Sequence, residues 1–433
     1  MTRTLSLNQR GVLSGDFTPP GDKSISHRAV MLGALAEGDS EFTHFLDAED
    51  CMHTLAAFQA MGVQALYTPD QKRVNIRGAG LHGLKKPAQE LYLGNSGTSM
   101  RLLLGILAGQ RFDCTLTGDA SLTSRPMKRV TGPLKQMGAQ IKGKDSANFA
   151  PLSIHGGKLK GIDFENHLAS AQVKSAILLA GLYADGITRV REPRPSRDHT
   201  EKMFEAAGAD FFKENGWLCV RKTAALKPLA FKIPGDISAA AFFVAGAAML
   251  PGSRVRICHV GLNPLRTGIL GVLERMGASI KVEIETAIPE PMGTILIEGK
   301  RLRGTRITGA EIPSLIDELP ILMTVMALSE GESLISGAEE LRVKETDRIM
   351  SMVTNLNAAG GELKELPDGC VIRGVPGFHG AEVQSFGDHR TAMSMAIASL
   401  AADGEIVIHD TDCIATSFPG FQGAFESLRR SAF

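Results

Sequence analysis

Positively charged and hydroxyl side chains cluster where two predicted helices begin. Residues 20–28 (PGDKSISHR) place Lys23, Ser24 and Arg28 across a turn and the first turn of a helix. The backbone N–H groups and the dipole at a helix start favour an anion, and two cations add to that preference. An aspartate precedes the lysine, so the segment lacks the spacing of a P-loop. The segment predicts a phosphate or carboxylate site; the alternative is a capped helix with solvated charges.

A second small-residue loop has the same character. Residues 94–101 (GNSGTSMR) run into another apolar helix, and Gly97 and Thr98 would let a ligand approach the backbone closely. The alternative is an ordinary glycine-containing turn. Residues 170 and 172 are a serine and a glutamine at the entry of a third apolar helix, and Ser196 and Arg197 occupy the matching loop of that repeat. These polar groups predict ligand hydrogen bonds, with helix capping as the alternative.

Further arginines could each bind a carboxylate or phosphate with two parallel hydrogen bonds. They are Arg125, Arg348 and Arg390, and each belongs to a different repeat of the chain. Lys344 and Arg348 are four residues apart, which predicts neighbours on one helical face. A single arginine of this kind is usually a surface ion pair. We nevertheless expect these loops to meet in one cleft, because the repeats are related by pseudo-symmetry.

Two acidic residues lie among or near these cations. Asp317 precedes a predicted buried helix, and Glu345 sits within the cationic segment 341–348. A helix cap for Asp317 and a salt bridge for Glu345 are the alternatives. A pair of acids amid cations is also what proton transfer on an anionic substrate requires. We therefore predict that both acids are catalytic.

A repeated unit of about 70 residues must position these groups. In each unit an apolar helix, a turn, a short strand, a polar loop and an amphipathic helix follow one another. The turns that end the apolar helices lie near Gly38, Gly109, Gly186, Gly252, Gly331 and Gly404. Because the first helix of each unit is apolar nearly all round, it should be buried. The pattern predicts an α/β fold with helices inside and sheets outside, six units in two domains. A solenoid is the alternative, but the terminal copies do not look like caps.

The domain boundaries follow from two similar Pro-Gly-Asp turns, which are hinge candidates near residues 18–22 and 233–237. The predicted domains are 21–236, and 1–20 together with 237–433, with three repeats each.

The composition excludes some partners. The 47 basic residues balance 47 acidic ones, which argues against nucleic acid or an anionic membrane as a partner. No apolar stretch is long enough to span a bilayer, and the first residues lack the pattern of an export signal. Six cysteines lie far apart without a C-x-x-C pair, which favours reduced thiols over disulfides or zinc. We expect a cytoplasmic protein.

Seven segments together closely resemble the 5-enolpyruvylshikimate-3-phosphate synthase family. They occur in the family's order and span nearly the whole chain: PGDKSISHR, GNSGTSMR, SRPM, SAQVKSA, RDHTEKM, LRVKETDR and FGDHR. The details look more like the bacterial branch that includes glyphosate-tolerant forms. The resemblance implies a two-domain inside-out α/β barrel that closes on its substrates. It also implies transfer of the enolpyruvyl group of phosphoenolpyruvate (PEP) to the 5-hydroxyl of shikimate 3-phosphate, with release of phosphate.

The resemblance also implies roles for individual residues. The residues implied for shikimate 3-phosphate are Lys23, Ser24, Arg28, Ser170, Gln172, Ser196, Arg197, Asp317 and Lys344. Those implied for PEP are Lys23, Asn95, Gly97, Arg125, Gln172, Arg348 and Arg390. Asp317 would take the proton of the 5-hydroxyl, Glu345 would protonate the PEP methylene carbon, and Lys23 would assist. The family requires no metal or organic cofactor, and it suggests a monomer. Gly97 stands where tolerant relatives often carry alanine, which predicts inhibition by glyphosate.

Three positions depart from the better-known pattern of the family. Thr416 stands where a lysine near PEP is expected, Glu340 replaces an asparagine, and Leu102 replaces a common proline. The nearest alternative is UDP-N-acetylglucosamine enolpyruvyl transferase, which uses a loop cysteine as its acid. The comparable loop, residues 117–125, has no cysteine. A non-catalytic protein that binds phosphorylated metabolites is a further alternative, but it would not need the two acids.

Overall fold

The computed structural model describes residues 3–8, 10–287 and 289–431. It divides into two compact units: a continuous unit, Gly21–Ile233, and a two-segment unit, Met1–Pro20 with Pro234–Phe433. Residues 234–236 pack with the two-segment unit, where the N–H of Gly235 donates to the His259 carbonyl over 2.7 Å. The predicted domain boundaries and hinges stay predictions.

Helices form wherever the apolar and amphipathic repeats occur. In the described residues the α-helices are α1 (Lys23–Leu35), α2 (Glu49–Ala60), α3 (Gly97–Ala108), α4 (Ala120–Thr123), α5 (Lys128–Gln136), α6 (Lys144–Ala147), α7 (Ala171–Gly181), α8 (His199–Ala207), α9 (Ile237–Met249), α10 (Gly268–Arg275), α11 (Leu319–Ala327), α12 (Arg348–Ala358), α13 (His389–Ala398) and α14 (Phe421–Leu428). Short 3₁₀-helices occur at Pro69–Gln71, Ile312–Ser314, Ile316–Glu318, Glu339–Val343, Ser399–Ala401 and Thr411–Thr416. The six apolar helices are α1, α3, α7, α9, α11 and α13, as the repeat predicts.

The strands are short and belong to small sheets. They are β1 (Leu5–Leu7), β2 (Gly11–Phe17), β3 (Glu37–Thr43), β4 (Gln64–Thr68), β5 (Arg73–Ala79), β6 (Leu91–Tyr92), β7 (Asp113–Thr117), β8 (Gln140–Gly143), β9 (Phe149–His155), β10 (Asp163–Glu165), β11 (Ile187–Arg191), β12 (Phe211–Glu214), β13 (Trp217–Arg221), β14 (Ala230–Lys232), β15 (Arg254–Gly261), β16 (Ser279–Thr286), β17 (Met292–Glu298), β18 (Arg306–Ile307), β19 (Glu332–Ile335), β20 (Glu362–Leu366), β21 (Gly369–Arg373), β22 (Phe378–Gln384), β23 (Ala402–His409) and β24 (Arg429–Ser431).

Each unit contains three mixed sheets within the described part of the chain. The continuous unit has the strand orders β14-β3-β5-β4, β6-β7-β9-β8 and β10-β11-β13-β12. The two-segment unit has β16-β17-β15-β2-β24, β18-β19-β21-β20 and β1-β23-β22. In all six sheets, the strand after the apolar helix pairs parallel with one neighbour and antiparallel with another. Because β1 and β2 pair with β23 and β15, the first segment of the chain belongs to the C-terminal sheets.

The core of the continuous unit consists of the buried helices α1, α3 and α7. Helix α3 is buried along almost its whole length. Gly105 permits its close approach to α7, because a Cβ there would lie 2.2 Å from the Ala176 carbonyl oxygen. One face of the surrounding strands remains exposed. The continuous unit therefore has helices inside and sheets outside.

The two-segment unit repeats this arrangement with α9, α11 and α13. Every residue of α9 is buried, and Phe243 stacks on Phe421 with ring centroids 5.8 Å apart. The predicted α/β fold class, with buried helices and outer sheets, is confirmed for each unit. Among the described residues, none of the helices combines the length and apolarity needed to cross a bilayer.

Candidate active site

The continuous unit presents Lys23 and Arg28 at the N-terminal end of α1. Asp22 caps this helix by accepting the N–H of Ile25 over 2.8 Å. The Lys23 ammonium lies 2.7 Å from a carboxylate oxygen of Asp50. The helix is capped, as the alternative predicts, but a solvated Arg28 is wrong, because this residue is only 4% exposed.

Neutral oxygen acceptors orient the Arg28 guanidinium. It donates to the hydroxyl groups of Thr200 over 2.7 Å and Ser175 over 2.8 Å, and to the Ser24 carbonyl over 2.9 Å. These bonds tie α1 to α7, which carries Gln172, and to α8, which follows Ser196 and Arg197. The bonds orient the guanidinium without cancelling its charge.

A buried polar chain lies beneath this helix end. The His27 Nδ1 lies 2.7 Å from Thr54 Oγ1, which lies 2.6 Å from Ser99 Oγ at the start of α3. Burial lowers the pKa of His27 well below its ordinary value, and the positive charges of Lys23 and Arg28 lower it further. A neutral imidazole therefore supports the cationic segment from inside.

Arg125 and Asn95 form a second oriented group. The Arg125 guanidinium donates to the Asn95 carbonyl over 3.2 Å, to the Asn95 side-chain oxygen, and to Ser121 Oγ over 3.0 Å. The Asn95 side chain in turn donates to Asp119 over 2.8 Å. Asn95, in the glycine-containing loop before α3, thus orients the guanidinium of Arg125.

Gln172 bridges α7 to the start of α3. Its side-chain oxygen accepts from Arg101 over 2.7 Å, and its amide nitrogen donates to Thr98 Oγ1 over 2.9 Å. A Cβ at Gly97 would lie 2.8 Å from a terminal nitrogen of Arg101 and 3.4 Å from one of Arg125. The glycine therefore makes room for two guanidinium groups beside the helix start.

Ser170, Ser196 and Arg197 border the same ends of α7 and α8. Ser170 occupies the N-cap position of α7 but its side chain makes no capping hydrogen bond, so the capping alternative is wrong for this residue. Ser196 donates its hydroxyl to Glu192 over 2.7 Å. Arg197 follows directly and is partly exposed.

The two-segment unit gathers carboxylates around Arg348. This buried guanidinium contacts Glu345 at 2.6 Å, Asp388 at 2.8 Å and Asp317 at 3.1 Å. Burial lowers the pKa of Arg348, but the three carboxylates outweigh this effect and raise it above its ordinary value. Arg348 is therefore a fixed positive charge that orients both predicted catalytic acids.

Arg390 reaches the same cluster from α13. It donates to the Asp317 carbonyl over 3.1 Å, and its Nε lies 3.6 Å from the Asp317 carboxylate. Asp388 caps α13 by accepting the Arg390 N–H over 2.7 Å. Asp317 lies inside the 3₁₀-helix Ile316–Glu318 and does not cap α11, so the helix-cap alternative is wrong.

The predicted helical position of Lys344 is wrong. Lys344 was expected on one helical face with Arg348, but Asp347 caps α12, which begins only at Arg348. Lys344 instead follows the 3₁₀-helix Glu339–Val343 in non-helical backbone. Burial lowers the pKa of Lys344, and Arg348 acts in the same direction, whereas the negative charge of Asp317 opposes the shift.

Two of the positions that depart from the family pattern also belong to this unit. Thr416, at the end of a 3₁₀-helix, lies with its hydroxyl 3.4 Å from Nδ1 of His389 and donates to the Cys413 carbonyl over 2.7 Å. Glu340 lies in the 3₁₀-helix before Lys344. Neither Thr416 nor Glu340 provides a positive charge in place of the lysine that the family pattern has near PEP.

Sequence reasoning did not single out some residues that orient the candidate groups. They are Arg101, Asp388 and Thr200, and each lies inside a motif that was quoted for its neighbours. A usable signal was a charged or hydroxyl residue at a position where the helix pattern demands burial. All three are buried.

Known proteins share this fold. The enolpyruvyl transferase NikO from Streptomyces tendae covers the whole chain at a TM-score of 0.78 and 16% identity, which indicates the fold alone. An EPSP synthase from Acinetobacter baumannii matches at a TM-score of 0.88 and 45% identity, over 99% of each chain. The fold is thus the mixed α/β fold of enolpyruvyl transferases, with its six small sheets.

Sequence comparisons identify the family. The EPSP synthase (3-phosphoshikimate 1-carboxyvinyltransferase) family model matches residues 7–425. A 3-phosphoshikimate 1-carboxyvinyltransferase from Methylococcus capsulatus is 53% identical over 384 residues, covering 88% of this chain and 87% of the relative. One from Desulforamulus reducens is 49% identical over 389 residues, covering 90% of each. The chain belongs to the EPSP synthase family, and its activity is that of a 3-phosphoshikimate 1-carboxyvinyltransferase of the shikimate pathway.

Proposed function

We propose that the two clusters described above act on the same pair of substrates. In this proposal, the cations and hydroxyls of the continuous unit bind the phosphate and carboxylate groups, and the acids of the two-segment unit move protons. The observation that carries the proposal is the contact of Arg348 with both Asp317 and Glu345. One guanidinium fixes two acids that proton transfer requires.

The proposed binding residues follow the family resemblance and the observed contacts. Shikimate 3-phosphate is assigned to Lys23, Ser24, Arg28, Ser170, Gln172, Ser196, Arg197, Asp317 and Lys344. PEP is assigned to Lys23, Asn95, Gly97, Arg125, Gln172, Arg348 and Arg390. Both substrates are polyanions, and bringing them together without cations would be strongly repulsive. The oriented guanidiniums of Arg28 and Arg125 supply the required charge.

The proposed chemistry uses the two acids in sequence. The 5-hydroxyl oxygen of shikimate 3-phosphate bonds to C2 of PEP while Asp317 takes the hydroxyl proton. Glu345 donates a proton to the methylene carbon of PEP. When the tetrahedral intermediate collapses, the methyl group returns a proton to Glu345, and the C2–O bond to phosphate breaks. Phosphate leaves with the proton that Asp317 held. Positioning two reactants can lower a barrier by about 7–11 kcal/mol, and each proton transfer contributes about 10²–10⁴-fold.

The contact between Arg348 and Glu345 supports a role for PEP in the protonation of Glu345. The Arg348 guanidinium lies 2.6 Å from the Glu345 carboxylate, and a neighbouring positive charge favours the ionised form of an acid. A PEP carboxylate that draws Arg348 towards itself would weaken that contact, so Glu345 would take up a proton more easily. Binding of PEP would thereby prepare the acid that PEP itself requires.

A phosphate-release assay tests the substrate assignment. We expect release of phosphate only when shikimate 3-phosphate and PEP are both present. Turnover with UDP-N-acetylglucosamine in place of shikimate 3-phosphate would favour the related transferase, and binding without turnover would favour a phosphometabolite-binding protein.

The proposal includes a cytoplasmic monomer. All six cysteines are free thiols, which suits a reducing compartment. Sedimentation at assay concentrations should give the mass of one chain; a dimer mass would contradict the monomer.

A further inference from the structure

A buried charged cluster lies beneath two of the candidate substrate loops. Lys174 on α7 lies 3.0 Å from Glu192, which follows β11, and 2.7 Å from Glu201 on α8. The side chains of the lysine and the two acids are only 1%, 5% and 3% exposed. Burying three ionised or ionisable groups is unfavourable unless they form ion pairs and hydrogen bonds of good geometry with one another and with their neighbours.

Glu192 is the centre of the cluster, because both of its carboxylate oxygens have two donors. One oxygen accepts from Lys174 and from the Ser196 N–H, each over 3.0 Å. The other accepts from the Ser196 hydroxyl and the Asn166 side chain, each over 2.7 Å. This single carboxylate therefore fixes both the backbone and the side chain of Ser196.

The cluster also reaches the second loop. The same Asn166 amide nitrogen donates to the Ser170 carbonyl over 3.0 Å, immediately before α7. Lys174 lies one turn further along this helix, and it donates to the Ser196 carbonyl over 3.1 Å. The segments that carry Ser170 and Ser196 are thus joined through three buried side chains.

Glu201 differs from Glu192 in the residues that it contacts. It contacts the same ammonium group of Lys174, and burial raises its pKa. None of the contacts described above links it to either serine. The two glutamates therefore provide a matched pair: both contact the same buried lysine, but only one contacts a candidate loop.

We propose that Glu192, supported by Lys174 and Asn166, is a positioning residue that sets the distance between Ser170 and Ser196 for shikimate 3-phosphate. It touches no substrate in this account and acts through the two serines. The inference rests on the proposed assignment of these serines to shikimate 3-phosphate. Its consequence is specific: a change at Glu192 should weaken the use of this substrate and leave the use of PEP nearly intact.

Steady-state kinetics of Glu192→Gln and Glu201→Gln test the proposal. In Glu192→Gln, an NH₂ group replaces one oxygen that accepts two hydrogen bonds, so the Ser196 loop shifts. We expect KM for shikimate 3-phosphate to rise about tenfold, the order expected for lost charge-assisted hydrogen bonds. KM for PEP should stay within about twofold and kcat within about threefold. Glu201→Gln should leave all three values within about twofold, although both variants lower Tm.

An equal rise of KM in both variants, or no rise in Glu192→Gln, would overturn the positioning role. Ser170→Ala and Ser196→Ala separate this failure from that of the substrate assignment. If neither serine variant raises KM for shikimate 3-phosphate, the assignment is wrong; if they do and Glu192→Gln does not, only the positioning role is wrong. Should Glu192→Gln not fold, Asn166→Ala retains the Lys174–Glu192 ion pair and should raise the same KM about threefold. An unchanged KM there would contradict the proposal.

Discussion

The candidate substrate-binding arginines of the two units differ in the partners described above. In the continuous unit, hydroxyl, carbonyl and amide oxygens orient Arg28 and Arg125. In the two-segment unit, three carboxylates surround Arg348. The described contacts thus bring neutral oxygen atoms to the guanidiniums of Arg28 and Arg125, and negative charges to that of Arg348.

The contrast indicates how the copies of a repeated fold can take different roles in one reaction. Neutral acceptors fix a guanidinium while its charge still attracts an anion. Carboxylates around a guanidinium are themselves fixed, which suits groups that must exchange protons with a substrate. The comparison therefore predicts binding defects from changes to Arg28 and Arg125, and turnover defects from changes to Asp317 and Glu345.

The largest effect is expected for Asp317→Asn. The amide can retain a contact with Arg348 but cannot accept the proton of the 5-hydroxyl, so kcat should fall by about 10²–10⁴-fold. Binding of shikimate 3-phosphate, measured by calorimetry, should persist. Glu339→Gln, at an exposed acid of the same unit, serves as the control and should behave like wild type. Near-normal turnover of Asp317→Asn would remove this residue from the mechanism.

The next effect is expected for Arg125→Ala. Loss of a charge-assisted contact of about 1.5–3 kcal/mol should raise KM for PEP by about 10–100-fold, with a smaller change in kcat. The matched control is Arg191→Ala, since Arg191 is half-exposed, pairs with Glu165 and stacks on Trp217. An unchanged KM for Arg125→Ala would place this arginine outside the PEP site.

A smaller effect is expected for Gly97→Ala. The new methyl group would press on Arg101 at 2.8 Å and approach Arg125 at 3.4 Å, so the guanidiniums must shift slightly. KM for PEP should rise a few-fold. If the wild-type protein is inhibited by glyphosate, as its glycine suggests, the inhibitory concentration should rise more than KM does. Wild-type resistance to millimolar glyphosate would contradict the expected sensitivity.

The smallest effect concerns stability and His27. Its folded-state pKa is lowered, whereas the unfolded chain binds a proton near pH 6.5. The full stability is therefore present above pH 6.5 and is lost as pH falls below that value. Between pH 6.5 and the folded pKa, the loss is up to about 1.4 kcal/mol per pH unit. His27→Asn should lose this part of the pH dependence in thermal melts; identical slopes would show that His27 does not contribute.

Local patterns were sufficient to predict the repeated architecture. Uninterrupted apolar residues, as in α9, require burial whatever surrounds them, and the strands after each helix follow from the turns. The segments with Lys23 and Gly97 also lie at helix starts, as predicted.

Side-chain partners could not be predicted in the same way. The contact of Arg348 with Asp388 joins residues 40 positions apart, and the Lys174–Glu192 pair depends on the packing of α7 against β11. The wrong placement of Lys344 has a local cause: spacing alone suggested one helix, but the Asp347 cap starts α12 later. Spacing predicts neighbours only where the helix boundary is known.

A crystal structure of Asp317→Asn with shikimate 3-phosphate and PEP tests the division of roles most directly. We expect PEP to contact both Arg125 and Arg348, and the 5-hydroxyl to lie about 2.6–3.2 Å from the side chain at position 317. If PEP contacts only one of these arginines, or if that side chain lies beyond the reach of the hydroxyl, the two clusters do not act on one pair of substrates.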